Sequence, residues 1–344
     1  MTTMRTELGR GGRSGQRRLA GWISARRDVI VVYLVFGLMV ALGGILSPDF
    51  LTSFNVQNVI GAAAPLALVA IGQTFVILTR GIDLSVGSTM SLTTVVAAIY
   101  MNGSDSRLLG GALMCIGIGA GLGLVNGLVI TVLRVQPIIA TLGMMSIVQG
   151  LTFVRSMTPA GLTPPFLQQQ IYGKVGSLPK SAIVIAVAFA LALFVLRKTR
   201  YGMHVYALGG AEESTRLSGV STFRVKLSVY VLSGIFAALA GLLLAGRLGQ
   251  GDPLSGQVFM LTSIAVVAIG GSSLFGGRGG LAGTLAGVLI LTMLGNILNL
   301  EGVSTYPQQL ITGLLIIVVV ALYSVGRLRL SHLQLPMLLR LPDR

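Results

Sequence analysis

The chain has 344 residues, 53% of them hydrophobic and 10% charged, with 25 lysines and arginines against 10 acids, a formal net charge of +15 and a mean hydropathy of +0.85. Soluble domains carry about 25% charge, so the composition excludes an ordinary soluble globule and marks a membrane protein. The 47 glycines are not spaced as in collagen, no stretch alternates polar and apolar residues as barrel strands do, and the one cysteine, Cys115, excludes a disulfide framework or thiolate metal site.

Residues 1–28 form a basic tail with seven arginines, and the 18 apolar residues from Val29 to Leu46 follow it. That run is too long for a signal-peptide core and lacks an A-x-A cleavage site, so it reads as a retained first span. The arginine pairs at 17–18 and 26–27 serve as orientation signals. A transmembrane helix needs about 20 mainly apolar residues. Ten segments qualify: 29–46, 56–79, 84–101, 108–133, 136–154, 181–196, 228–246, 257–275, 281–300 and 308–326. The expected fold is an all-α polytopic membrane protein of about ten transmembrane helices. With the N-terminus inside, 20 lysines and arginines fall on the inner side and five on the outer, which places both termini in the cytoplasm. The expected organisation is a tail 1–28, a transmembrane domain 29–326 with a cytoplasmic loop 197–227, and a C-terminal tail 327–344. Anionic membrane lipid accounts for the basic inner face, and nucleic acid is not an expected partner.

Within this order, the stretch RGIDLSVGS (80–88) forms the turn between spans two and three. Arg80 stands ready for lipid phosphates or a docked subunit, Gly81 breaks the helix, and Asp83 caps a helix restarting at Leu84. Small residues recur every fourth position at Gly119, Gly123 and Gly127, at Ser233, Ala237, Gly241 and Ala245, and at Gly279, Gly283 and Gly287. Such ladders let helix backbones approach closely. Segment 155–180, with four prolines, reads as an ordered cap or lid. Val69-Ala70-Ile71-Gly72 before Arg80 and Val267-Ala268-Ile269-Gly270 before Arg278 share one offset, which marks either an internal repeat or a chance recurrence.

The chain lacks a phosphate-binding loop, a zinc-protease helix motif and a nucleophile elbow, and His204 and His332 stand apart from any triad or metal arrangement, so no catalytic or metal residues are assigned. All ten acids fall at expected helix ends or in loops, which argues against ion coupling through buried carboxylates. The deep polar groups are the amides Gln73, Asn126, Gln149, Asn296 and Asn299. Uncharged amides suit a pathway for hydroxyl-rich substrates, and they equally suit interhelical hydrogen bonding. A transporter with neither ion-coupling groups nor its own nucleotide site needs a docked motor. A short helix over 211–217, with Gly209-Gly210 before it and Gly219 after it, suits that docking. Glu212 and Glu213 fall in its first turn and Arg216 in its last, as the helix dipole favours.

Three stretches then carry a family resemblance: GIDLSVGS (81–88), TRYGMHVYALGGAEESTRLSGV (199–220), and VVAIGGSSLFGGRGGLAGTLAGVLI (266–290) with NILNLEGVSTYPQQLITGLLII after it. The chain resembles, from about residue 30 to 326, the permease subunit of bacterial ABC importers for monosaccharides such as ribose, xylose, arabinose and galactose. The resemblance implies a bacterial inner-membrane permease that catalyses no bond chemistry and binds no cofactor. ATP and Mg belong to a separate ATPase, a periplasmic or extracellular sugar-binding protein delivers substrate, and a second permease copy completes a homodimer or paralogous heterodimer. It assigns ATPase coupling to Ala211, Glu212, Glu213, Ser214, Thr215, Arg216, Leu217, Ser218 and Gly219; Arg80, Gly81 and Asp83, and Gly277 and Arg278, read as structural cytoplasmic turns that these motifs contain. The family commonly has asparagine where this chain has Ala211, and an acidic pair where it has Met260-Leu261-Thr262-Ser263. The alternatives are a stand-alone secondary carrier or channel, and an ABC permease for a non-sugar cargo.

Overall fold

A helix that is apolar all round is stable only when protein or lipid surrounds it, and one apolar segment is enclosed by protein over most of its length. The computed structural model describes residues 29–318 apart from 177, 305 and 316. Helix α1 spans Val29–Leu46, and α2 spans Ser53–Leu78. Thr52 caps α2 by accepting from the Asn55 amide, and every residue from Ala63 to Leu78 is buried, Pro65 included. Around α2 stand α7 (Lys180–Lys198), α10 (Thr222–Leu248), α11 (Gln257–Ile269) and α12 (Leu281–Leu300); α10 also packs on α3 (Val86–Met101) and α4 (Leu108–Thr131), and α5 (Pro137–Arg155) packs on α3. A further helix, α13, begins at 306.

Helix α4 buries a single stripe at Gly111, Cys115, Gly119, Gly123, Asn126, Gly127 and Ile130. Leu109, Leu113, Leu124 and Leu128 stay exposed on its other faces. That pattern inverts a soluble amphipathic helix and suits a lipid surround. The stripe explains its glycines: a Cβ on Gly119 would strike the Gly234 carbonyl, one on Gly123 the Tyr230 carbonyl, and one on Gly127 the Leu227 side chain. The small residues thus seat α4 directly on the α10 backbone. Gly283 and Gly287 likewise meet Gly270 and Val266 of α11. Gly279 does not share that face; it precedes α12 in a turn with φ of 118°.

Seven helices, α1, α2, α4 (extended by the 3-10 turn before it), α5, α7, α10 and α12, are long and apolar enough to cross a membrane, whereas α3 and α11 are shorter. The chain is therefore an all-α polytopic membrane protein. Two boundaries differ from expectation. Helix α10 starts at Thr222 rather than near 228, because its polar first turns continue the helix past the apolar run, and α11 ends at Ile269 rather than 275, where a glycine-rich turn takes over. The tails 1–28 and 327–344, and span ten beyond 318, lie outside the described residues.

Loop 197–227 is largely helical: α8 covers Arg200–Gly210 and α9 covers Glu212–Leu217. Both lie at the end of the bundle where α2 finishes and α3, α10 and α12 begin. At the opposite end, segment 155–180 folds into α6 (Pro165–Tyr172) and a two-stranded hairpin, β1 (Lys174–Val175) with β2 (Leu178–Pro179), in which Lys174 faces Pro179. Ala160 bridges Gly251 there, and α6 packs on α10.

Candidate functional site

Helix α9 is six residues long, and Thr215 is its one buried residue; Leu217 is 78% exposed. Ala211 occupies its N-cap in an extended conformation and offers no side-chain acceptor. Glu213 pairs with Arg216 at 2.7 Å, and Glu212 pairs across to Lys226 of α10 at 2.6 Å. The hydrogen bond and charge of Glu213 raise the Arg216 pKa above its usual value. Exposed pairs of this kind add little stability, so α9 is presented by its neighbours rather than braced by its own charges. Between α9, the start of α10 and the α4–α5 turn lies a cavity of about 570 Å³ lined by Arg134, Glu213, Lys226 and Tyr230 among others.

The turn after α2 is built around Arg80 rather than Gly81. Arg80 adopts the left-handed φ of 66°, which costs a residue bearing a Cβ roughly 1–2 kcal/mol. Gly81 is small for another reason, since a Cβ there would strike the Tyr230 hydroxyl and Val76. The Arg80 Nε donates to the Gly209 carbonyl at 2.7 Å, and a terminal guanidinium nitrogen donates to the Gly210 carbonyl at 2.5 Å. Carbonyls in the last turn of a helix have no partner within it and sit at the negative end of its dipole, so a cation satisfies both needs. Arg80 is therefore engaged by carbonyls of this chain while remaining exposed, and it stands on the wall of the cavity beside α9. The Gly277 amide donates to the Leu78 carbonyl at 3.0 Å, and Ser273 donates to the Arg278 carbonyl at 3.0 Å. Two turns far apart in sequence thus meet beside α8.

Asp83 also departs from its expected role. Helix α3 starts at Val86 with Ser85 at the N-cap, and Asp83 lies outside that position. Its Oδ1 accepts from the Ser85 amide at 3.0 Å and the Ser85 hydroxyl at 2.6 Å, and its Oδ2 accepts from the Ser233 hydroxyl at 2.8 Å. Asp83 is 1% exposed, so one acid does lie inside the bundle. Neither ion pair among the described residues involves it; hydroxyl and amide donors satisfy the carboxylate instead. Sequence reading missed Ser233 and Ser85 in this role, and the spacing of 150 residues between Asp83 and Ser233 left no local signal.

The five deep amides do not converge on one site. Gln73 is fully buried in α2, and neither end of its amide finds a partner among the described residues. Asn126 donates to the Ser85 hydroxyl at 2.9 Å, joining the Asp83 cluster. Gln149 donates to the Pro253 carbonyl at 2.9 Å. Asn296 and Asn299 line a cavity of about 930 Å³ at the end of the bundle opposite α9, together with Asn55, Asn58, Thr292 and Gln308. The Asn55 and Asn296 amides exchange two hydrogen bonds of 2.9 and 2.7 Å across α2 and α12. Asp49 and Arg247 complete opposite signs on the wall. Asn55 and Asn58 were not singled out from sequence, because they lie near the polar start of a span where an asparagine is unremarkable.

A family model described as "Branched-chain amino acid transport system / permease component" matches residues 55–320. The ribose import permease protein of Escherichia coli (strain K12) is 37% identical, over 89% of this chain and 96% of its own length. The ribose import permease protein of Bacillus subtilis (strain 168) is 41% identical, over 84% of this chain and 91% of its own. The fructose import permease protein of Rhizobium meliloti is 36% identical, over 87% of this chain and 85% of its own. No solved structure matches.

Proposed function

This chain belongs to the family of ABC-importer permease components, a multi-pass protein of the inner membrane, and we propose on that premise that it carries a monosaccharide or related polyol, driven by a separate ATPase that engages α9. A binding protein delivers the substrate, and a second permease copy completes the pathway. The α9 end of the bundle is then cytoplasmic, the cavity of Asn55, Asn58, Asn296 and Asn299 opens on the outer side, and ten spans return both termini to the cytoplasm.

The observation that carries the coupling reading is the exposure of α9. A six-residue helix with one buried residue and an outward Leu217 gains little from its own fold, and a short isolated helix is marginal in water. A partner surface that covers it supplies the missing contacts. For cargo, the supporting feature is the cluster of neutral amides, which donate and accept hydrogen bonds to hydroxyls without fixing a charge. Asp49 and Arg247 on the same wall keep a zwitterionic cargo as the second reading. The test is copurification and competition. Leu217→Asp should release the ATPase from the purified complex, and unlabelled pentose or hexose should compete for uptake where branched-chain amino acids do not. An ATPase still bound to Leu217→Asp contradicts the docking reading, and competition by amino acids alone contradicts the sugar reading.

A further inference from the structure

We propose that Arg80 is a positioning residue for coupled transport: its guanidinium ties the base of α9 to the end of α2, so that displacement of α9 reaches the helix that lines the far cavity. The proposal rests on the reading of α9 as the segment engaged by the ATPase.

Besides the buried Thr215, two sets of side-chain polar contacts hold α9 and its base to the bundle. One is the exposed Glu212–Lys226 pair with α10, which solvent screens. The other is the grip of Arg80 on the Gly209 and Gly210 carbonyls, one residue before the α9 N-cap at Ala211. Gly209 sits so close to α2 that a Cβ on it would strike the Leu78 carbonyl, and the Arg80 stem covers Gly276. Tyr201 bonds Ser228 of α10 at 2.9 Å, and Tyr206 donates to the Gly279 carbonyl at 2.8 Å, so α8 moves as one body with the turn before α12. Among the described residues, Arg80 is the side chain that joins the last turn of α8 to α2 by hydrogen bonds.

The geometry points to selection for the side chain rather than for the turn. A left-handed turn at this position alone is served best by glycine, which adopts that conformation without penalty. An arginine there holds an unfavourable backbone in place and uses a planar fork to reach two carbonyls, which the single ammonium of lysine does not reproduce. From Arg80, α2 runs 26 residues, roughly 39 Å at 1.5 Å per residue. Its first turns carry Asn55 and Asn58 to the cavity, where Asn55 pairs with Asn296 of α12. The same helix therefore touches the ATPase-facing segment at one end and the candidate substrate cavity at the other.

The test is transport stoichiometry in liposomes holding the full chain, its ATPase and its binding protein. Uptake per ATP hydrolysed is compared for wild type, Arg80→Gly, Arg80→Lys and Leu217→Asp. Arg80→Gly removes the guanidinium while easing the backbone, so its unfolding midpoint should not fall; if it does, Arg80→Lys, which keeps charge and stem, carries the comparison. Both Arg80 variants should keep the ATPase bound. Uptake per ATP should drop by about fivefold or more in Arg80→Gly, the low end of coupling between separate sites, and by less in Arg80→Lys. A wild-type ratio in Arg80→Gly, with Leu217→Asp releasing the ATPase, overturns the tether and leaves the docking of α9 standing. An ATPase retained by Leu217→Asp overturns both.

Discussion

Asp83 shows how a carboxylate is held inside an apolar bundle without a cation. Three donors from Ser85 and Ser233 face its two oxygens, and each donor left unpaired by its removal costs about 1–3 kcal/mol. Asp83→Ala should therefore lower the unfolding stability in detergent by at least that amount. Asp83→Asn should keep most of it, because the amide oxygen takes the Ser85 N–H and the Ser233 hydroxyl rotates to accept. Transport lost in a well-folded Asp83→Asn would show that the negative charge itself is used. The Asn55–Asn296 pair calls for a double-mutant cycle. Each single alanine strands one amide, so the two losses should not add, and the interaction energy should be about 0.5–3 kcal/mol; strict additivity would show that the two amides act separately.

At the scale of elements, the contact between α4 and α10 depends on one stripe of glycines, and α4 carries its own control. Gly123 meets the Tyr230 carbonyl, whereas nothing stands within 4 Å of where a Cβ on Gly117 would lie. Gly123→Leu should cost about 1–3 kcal/mol through overpacking, or separate the helices. Gly117→Leu should be neutral or slightly stabilising, since glycine is a poor helix former; equal losses in both would mean that helix propensity and not contact decides. Helix α9 offers a gain instead. Its N-cap is Ala211, without a side-chain acceptor, and asparagine there should stabilise α9 by about 1 kcal/mol. Hydrogen exchange at Ser214 and Thr215 should slow in Ala211→Asn, and unchanged exchange would mean that α9 is already held by its surroundings.

For the whole molecule, the seven long apolar helices were legible in the sequence because the membrane demands long apolar runs, and the shorter helices α3 and α11 fell within expected segments. The glycine ladder of α4 was legible for the same kind of reason, a local period. The start of α10 was not, because Thr222 to Leu227 extend the helix beyond its apolar part. Arg80 read as a group for lipid phosphates or a docked subunit because its partners within the chain, Gly209 and Gly210, lie about 130 positions away in sequence. Asn55 was invisible as a site residue until α12 brought Asn296 beside it, 241 positions on. Local chemistry names the groups; only packing decides which of them meet. Topology is a property of the same scale. In a Cys115→Ser background, single cysteines at Ser214 and at Gln170 should react with a membrane-impermeant maleimide from opposite sides, Gln170 from outside. Labelling of both from one side would contradict the orientation.

The central claim is that this chain moves a sugar only when an ATPase drives it. The most direct measurement is uptake of a labelled pentose or hexose, the one its binding protein retains, into liposomes carrying this permease, its ATPase and its binding protein, with and without ATP on the ATPase side. The account predicts accumulation that needs ATP, the ATPase and the binding protein together. Accumulation by the permease alone, or uptake indifferent to ATP, would contradict it.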